Sequence, residues 1–200
     1  PLDDVKGVYP FIMLSEGVGR LYALNIKYGP FPEHYEPVES PVRNVLSKVQ
    51  NNPCVKIGKN VTCDIHRYPY IGTTYRVTEH WQAGAMTRNL PWLVELVPDM
   101  FVEISKSLAS AKNIKNGDRV RITTERGSIE GYALVTSRMQ PLIVDGTLVE
   151  QVGIPWHFGY AGLATGDSAN ILTSEAQSPV SGIPEFKAFL CNVEKGGLQV

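Results

Sequence analysis

The sequence has little from which to build a redox or metal centre of its own. Its three cysteines, Cys54, Cys63 and Cys191, form no C-x-x-C pair, and an odd number cannot close a complete intrachain disulfide framework. An iron–sulfur cluster needs several closely spaced thiolates, which this chain cannot supply. Cys54 and Cys63 could bridge in an oxidising compartment, but separation in sequence does not fix the geometry a bridge needs; the thiols are read as isolated. His34 and His66 lie in proline-rich segments without partners at metal-ligand spacing and are read as structural. Charge of one sign is also missing. A formal net charge of −1 leaves no basic footprint for nucleic acid. No apolar stretch approaches the about 18 residues a membrane span requires, so no direct span is expected. There is no initiator Met, Arg-rich leader or apolar signal core at Pro1-Leu-Asp-Asp, so a processed chain or a piece of a longer one is expected.

What is present is ordinary globular material. Of 200 residues, 43% are hydrophobic and 20% charged, enough for one large domain or one domain with a substantial extension. Residues 1–70 are broken repeatedly by prolines at 10, 30, 32, 37, 41, 53 and 69. Each removes a backbone donor and fixes φ, so this stretch is expected to be an extended arm packing onto another part of a larger protein. Within it a short helix is expected over 41–50, with Ser40 as cap and Pro41 in the first turn.

From about residue 71 the pattern changes. Phe101-Val-Glu-Ile-Ser105 reads as a strand, and Ser105 can cap a short helix through Ala111. Asn116-Gly117-Asp118 reads as a turn into Arg119–Thr124, which alternates like a half-buried strand. Glu125-Arg-Gly127 turns again into Ser128–Thr136. Leu142–Val152 and Phe186–Val193 read as further strands. Short strands, glycine turns and a single small helix predict a closed β barrel. No internal repeat is visible.

The chemistry concentrates in three places. The run Tyr75-Arg-Val-Thr-Glu-His-Trp-Gln-Ala-Gly-Ala-Met-Thr-Arg88 is rich in cations, amides and hydroxyls. Far downstream stand Gly166-Asp-Ser-Ala-Asn-Ile-Leu-Thr173 and Pro184-Glu-Phe-Lys187. Such groups suit a polar, anionic ligand, because an unpaired buried polar group costs about 1–3 kcal/mol. From the residues alone, the same run reads more readily as a polar surface loop with Trp81 plugging the core. Asn170 could read a ring with both edges of its amide, or simply build a turn after Gly166-Asp167. Lys187 could be a solvated lysine at a strand start. His157, in Ile154-Pro-Trp-His-Phe-Gly159, has a near-neutral pKa that tempts assignment as a base. A lone histidine among aromatics is more often a packed, hydrogen-bonded residue.

Together these motifs resemble the cofactor-facing signatures at the C-terminal end of the molybdopterin oxidoreductases. Gly29-Pro-Phe-Pro-Glu-His-Tyr-Glu-Pro-Val-Glu-Ser-Pro41 resembles the large subunit of formate dehydrogenases within that family. Tyr28 stands where the family often has Asp, a departure from the subtype's pattern. The resemblance covers nearly the whole chain. It implies a six-stranded double-psi β barrel of the aspartate-decarboxylase type over residues 71–200, preceded by the arm over 1–70. It implies cofactor contacts from Arg76, Thr78, Glu79, His80, Trp81, Gln82, Thr87, Arg88, Asn170 and Lys187, with His157 in a supporting role. The cofactor implied is a bis(molybdopterin guanine dinucleotide) with Mo or W. Its metal-ligating cysteine or selenocysteine and an iron–sulfur cluster are expected in the upstream remainder of the catalytic subunit. An iron–sulfur electron-transfer subunit is the expected partner, and a periplasmic or cell-envelope location the expected address, with a cytoplasmic one open. Alternatives are the equivalent domain of another family member, such as a nitrate reductase, or a non-catalytic double-psi interaction module.

Overall fold

The computed structural model describes residues 37–42, 63–177 and 182–196. The chain divides into two units, Pro1–His34 and Tyr35–Val200, and every described residue belongs to the second. The helix expected over 41–50 lies outside the described residues apart from its first two positions.

Six strands close into a barrel: β1 (Tyr70–Tyr75), β2 (Phe101–Ser105), β3 (Arg119–Thr123), β4 (Ser128–Thr136), β7 (Gln151–Pro155) and β8 (Phe189–Lys195). Between β4 and β7 lies a separate two-stranded hairpin, β5 (Leu142–Val144) and β6 (Thr147–Val149). Two short helices, α1 (Pro91–Leu96) and α2 (Lys106–Ala111), complete the described α structure. The barrel order is β1-β7-β2-β4-β3-β8, with β8 returning to β1. Only β1·β7 and β2·β4 are parallel. Exchanging β1, β2 and β3 for β4, β7 and β8 leaves every pairing unchanged. This is the interlocked two-fold order of a double-psi barrel, present without any repeat in the sequence.

Alternation builds the core. Val120 and Ile122 of β3, Ile129 and Ala133 of β4, Val102 and Ile104 of β2, and Phe189, Cys191 and Val193 of β8 all point into one apolar cluster. Each fully buried Ile or Leu contributes about 1.5–3 kcal/mol relative to exposure. The Ser105 hydroxyl accepts the Leu108 N–H at 2.9 Å, capping α2 where the sequence placed the cap.

Three elements differ from expectation. Leu142–Val152 is interrupted: Asp145 and Gly146 take φ of 48° and 73°, the two left-handed positions of a tight hairpin turn, so β5 and β6 fold back before β7 begins. β8 starts at Phe189 rather than Phe186, because the Phe186 carbonyl instead accepts the N–H and hydroxyl of Thr74, at 3.3 and 3.1 Å. Helix α1 was not anticipated. It starts on Pro91 and buries none of its residues, so no amphipathic stripe marks it.

The register sets which loops share an end. Tyr75 closes β1 beside Pro155 at the end of β7. Gly72 pairs with Phe189 at the start of β8, and Thr123 at the end of β3 pairs with Ser128 at the start of β4. Since β2 runs antiparallel to β7, it begins at that same end. Residues 76–100, 124–127 and 156–188 therefore leave the barrel at one rim.

Candidate functional site

All three motif segments emerge from this rim, although up to about a hundred positions separate them in sequence. The first is folded as one block with the loop after β7. His157 is fully buried. Its Nε2 accepts the Val77 N–H at 2.9 Å and therefore bears no proton, so Nδ1–H is the donor to the Gln82 carbonyl. Burial lowers its pKa, with the nearby His80 and Arg76 acting in the same direction against the Gln82 hydrogen bond. A neutral imidazole with both nitrogens engaged is a clamp and is not available as a base.

The turn that His157 clamps is sharply bent. Gln82 lies at φ 51° and Gly84 at φ 77°. A Cβ on Gly84 would stand 2.0 Å from the His157 carbonyl oxygen, so no other residue fits there. His80 is buried too; its Nε2 lies 2.9 Å from the Val97 carbonyl and its Nδ1 3.2 Å from the Thr87 hydroxyl. That hydroxyl also accepts the Trp81 N–H at 3.1 Å. Arg88 runs inward and donates to the carbonyls of Gly159, Ala161 and Ala164. Its own carbonyl accepts the Leu163 N–H at 2.8 Å, while its Nε is buried with no partner among the described residues. His80, Thr87, Arg88 and His157 thus spend their polar atoms holding the loops in shape.

Other members of the set face outward. Arg76, Thr78, Trp81, Gln82, Asn170 and Lys187 are exposed, and Glu79 is partly so. The Arg76 guanidinium lies 5.5 Å from the Trp156 ring centre, with one nitrogen 3.4 Å from the Gln82 carbonyl oxygen of the side chain. Lys187 Nζ donates to the Thr74 carbonyl at 2.6 Å. Burial, and secondarily the charge of Arg76, lower the Lys187 pKa. Among the described residues neither cation forms an ion pair. Two cations that feel each other without a counter-charge favour an anionic ligand. Asn170 sits in the 3-10 turn Ala169–Ile171, where among the described residues only its backbone is hydrogen-bonded and both amide edges stay open. This donor set fits a ligand that combines a pyrophosphate with polar ring edges.

Neither described thiol is primed as a nucleophile or ligand. Cys191 is buried in the barrel, where burial raises its pKa, and burial together with Glu39 pushes Cys63 up to about 12. Cys54 lies outside the described residues. The sequence reading overlooked Trp156, the platform under Arg76, and Thr74, the anchor of Lys187; only the strand pairing reveals either.

A β barrel whose rim gathers outward cations and an exposed amide over a buried His–Arg framework offers a prepared face to an anionic, polar ligand. Residues 70–190 match the family described as Molydopterin dinucleotide binding domain, and the chain belongs to that family. It is 48% identical over 198 residues to formate dehydrogenase subunit alpha of Megalodesulfovibrio gigas, covering 96% of this chain and 20% of that protein. It is 45% identical over 198 residues to the major subunit of the nitrate-inducible formate dehydrogenase of Escherichia coli (strain K12), covering 93% and 19%. The chain thus spans about one fifth of the length of these relatives. Acetylene hydratase from Pelobacter acetylenicus shares the fold, with a TM-score of 0.58 at 15% identity over 85% of this chain and 22% of that one. Among the described residues no helix is long and apolar enough to cross a membrane.

Proposed function

We propose that the chain is the C-terminal cofactor-binding portion of a formate dehydrogenase catalytic subunit, with residues 1–70 an arm and residues 71–200 the barrel domain. The observation that carries this reading is the rim, where among the described residues Arg76 and Lys187 stand without a counter-charge and Asn170 keeps both amide edges open. The relatives support it over a nitrate reductase or a non-catalytic module, since those reported are formate dehydrogenase subunits aligned over 93–96% of the chain.

The group held is a bis(molybdopterin guanine dinucleotide), which when bound supplies, at Mo or W, the two-electron oxidation of formate to carbon dioxide. Arg76 and Lys187 offer charge to its pyrophosphate, and Asn170 offers a donor and an acceptor to a ring edge. Thr78, Glu79, Trp81 and Gln82 extend that surface. His80, Thr87, Arg88 and His157 keep it in shape. The metal-ligating residue and an iron–sulfur cluster belong to the rest of the subunit, and electrons leave through an iron–sulfur partner subunit. The location proposed is the periplasm or cell envelope.

Asn170→Leu in the complete subunit tests the reading. Leaving a ring edge unpaired costs about 1–3 kcal/mol of cofactor binding, while an exposed loop residue leaves the melting temperature unchanged. Pterin content measured beside thermal unfolding separates the two effects; full pterin occupancy in Asn170→Leu overturns the assignment.

A further inference from the structure

The segment Pro37-Val-Glu-Ser-Pro41 carried part of the subtype resemblance, yet nothing in the rim chemistry above uses it. Its Glu39 side chain is only 2% exposed. That carboxylate takes both terminal nitrogens of the Arg126 guanidinium and, on Oε2, the Leu190 N–H at 2.7 Å. A buried carboxylate so fully matched by a bidentate arginine and a backbone donor is a built contact. Arg126 stands in the turn between β3 and β4, 87 positions away in sequence. The same guanidinium donates through Nε and a terminal nitrogen to the Leu172 carbonyl, at 2.9 and 2.8 Å.

Leu172 terminates the 3-10 turn that displays Asn170. The other side of this loop is pinned as well, since the Asp167 carboxylate accepts the Glu130 N–H at 2.9 Å. Between these pins Ile171 packs so closely on Gly127 that a Cβ there would stand 2.7 Å from its Cγ2. Neighbouring Val38 reaches the other candidate loop. Its N–H donates to the Glu185 carboxylate at 3.2 Å, two residues before Lys187, and its side chain is buried with Ala176.

We infer that Val38-Glu39 is a positioning strap: the buried Glu39–Arg126 pair, with Val38 beside it, fixes the loop of Asn170 relative to the loop of Lys187. The inference rests on the cofactor reading above and adds residues that touch no cofactor. Glu39 and Arg126 act through the Leu172 carbonyl and the strand start at Leu190. This gives the Pro37–Pro41 motif a physical task at the barrel rim.

The test uses the complete, cofactor-loaded subunit carrying Glu39→Gln or Arg126→Lys, the latter also combined with Asn170→Leu. Arg126→Lys keeps the charge and loses the planar fork that spans Glu39 and Leu172. Pterin release is followed by fluorescence after dilution, and hydrogen exchange is read over residues 167–173. Either strap variant is expected to release pterin about tenfold faster, the scale typical of residues that orient a direct ligand. Exchange should rise over 167–173 and stay unchanged in β2 and β4. In the double variant, Arg126→Lys should add nothing to the rate set by Asn170→Leu. Multiplying rates, or normal retention in Arg126→Lys, overturn the strap. If Glu39→Gln fails to fold, Arg126→Lys decides alone. If Asn170→Leu and Lys187→Ala both retain pterin normally, the cofactor reading falls and the strap's purpose with it.

Discussion

The two ends of the barrel solve the problem of polar groups in opposite ways. At the end bearing α2 and the β5–β6 hairpin, charges meet opposite charges near solvent, as Lys195 meets Asp118 at 2.9 Å. Turns there are closed by local bonds, such as the Lys115 N–H to the Asp118 carboxylate at 2.8 Å. At the rim, two histidines and an arginine are buried and bonded largely to backbone, while Arg76 and Lys187 face outward with no ion-pair partner among the described residues. Exposed apolar groups occur at both ends, Trp92 at 84% and Tyr160 at 97% at the rim and Ile143 at 79% on the β5–β6 hairpin, but at the rim the Trp156 ring lies beside the outward cation Arg76. A surface that fixes its loops from within and leaves cations and aromatic rings outside is arranged for something to be set against it.

Removing the buried framework should break that contrast most severely. Arg88→Ala strands three carbonyls in the loop after β7 and opens a void, and is expected to cost about 3 kcal/mol in urea unfolding. A loss no larger than that of an exposed arginine would mean the guanidinium does not organise the rim. Gly84→Ala comes next. Its positive φ and the 2.0 Å approach to the His157 carbonyl predict about 2 kcal/mol of destabilisation, with faster hydrogen exchange at Val77 as the His157 clamp opens.

Acid should act on the same clamp with a smaller effect. The folded-state pKa of His157 lies below its unfolded value of about 6.5, so the unfolded chain binds the extra proton first. Its contribution to stability is full above that unfolded pKa and is lost as pH falls through the folded one. Melting temperatures taken from pH 7.5 down to 5 should therefore fall less steeply in His157→Gln than in the unaltered chain. Equal slopes would show that His157 is not held neutral. The smallest change belongs to the far end, where Lys115→Ala should stay within about 0.5 kcal/mol and leave the rim untouched.

The sequence disclosed the elements whose signals are local. β3 and β4 alternate cleanly, and Ser105 announces α2 through a cap that needs only the next three residues. β1 was obscured because Gly72 and its two threonines carry no apolar alternation; Phe189 fills the space above Gly72 from the far end of the chain. The Asp145-Gly146 turn carries a legible hairpin signal, masked by the apolar residues on either side of it. For the site, the motifs identified the rim loops, but burial divides their residues by task. His80 and Arg88 look from sequence like ligand-facing groups as much as Asn170 does. Only partners such as Val97, Gly159 and Ala164 reveal that they turn inward, and those partners follow from a strand order that no spacing encodes.

That strand order also governs when the domain can come into being. β2 lies between β7 and β4, and β1 has β7 and β8 as its neighbours, so no hairpin made early in synthesis contains a finished edge of the barrel. The closing pair joins Tyr70 to Cys191, and such distant pairings slow folding because the loop entropy is lost before the contacts form. A growing chain carries β1 unpartnered until β7 has left the ribosome, and its second edge stays open until β8 follows. The rim that unites Arg76, Asn170 and Lys187 thus appears in one late event, and any ligand it receives arrives after translation of the domain is complete.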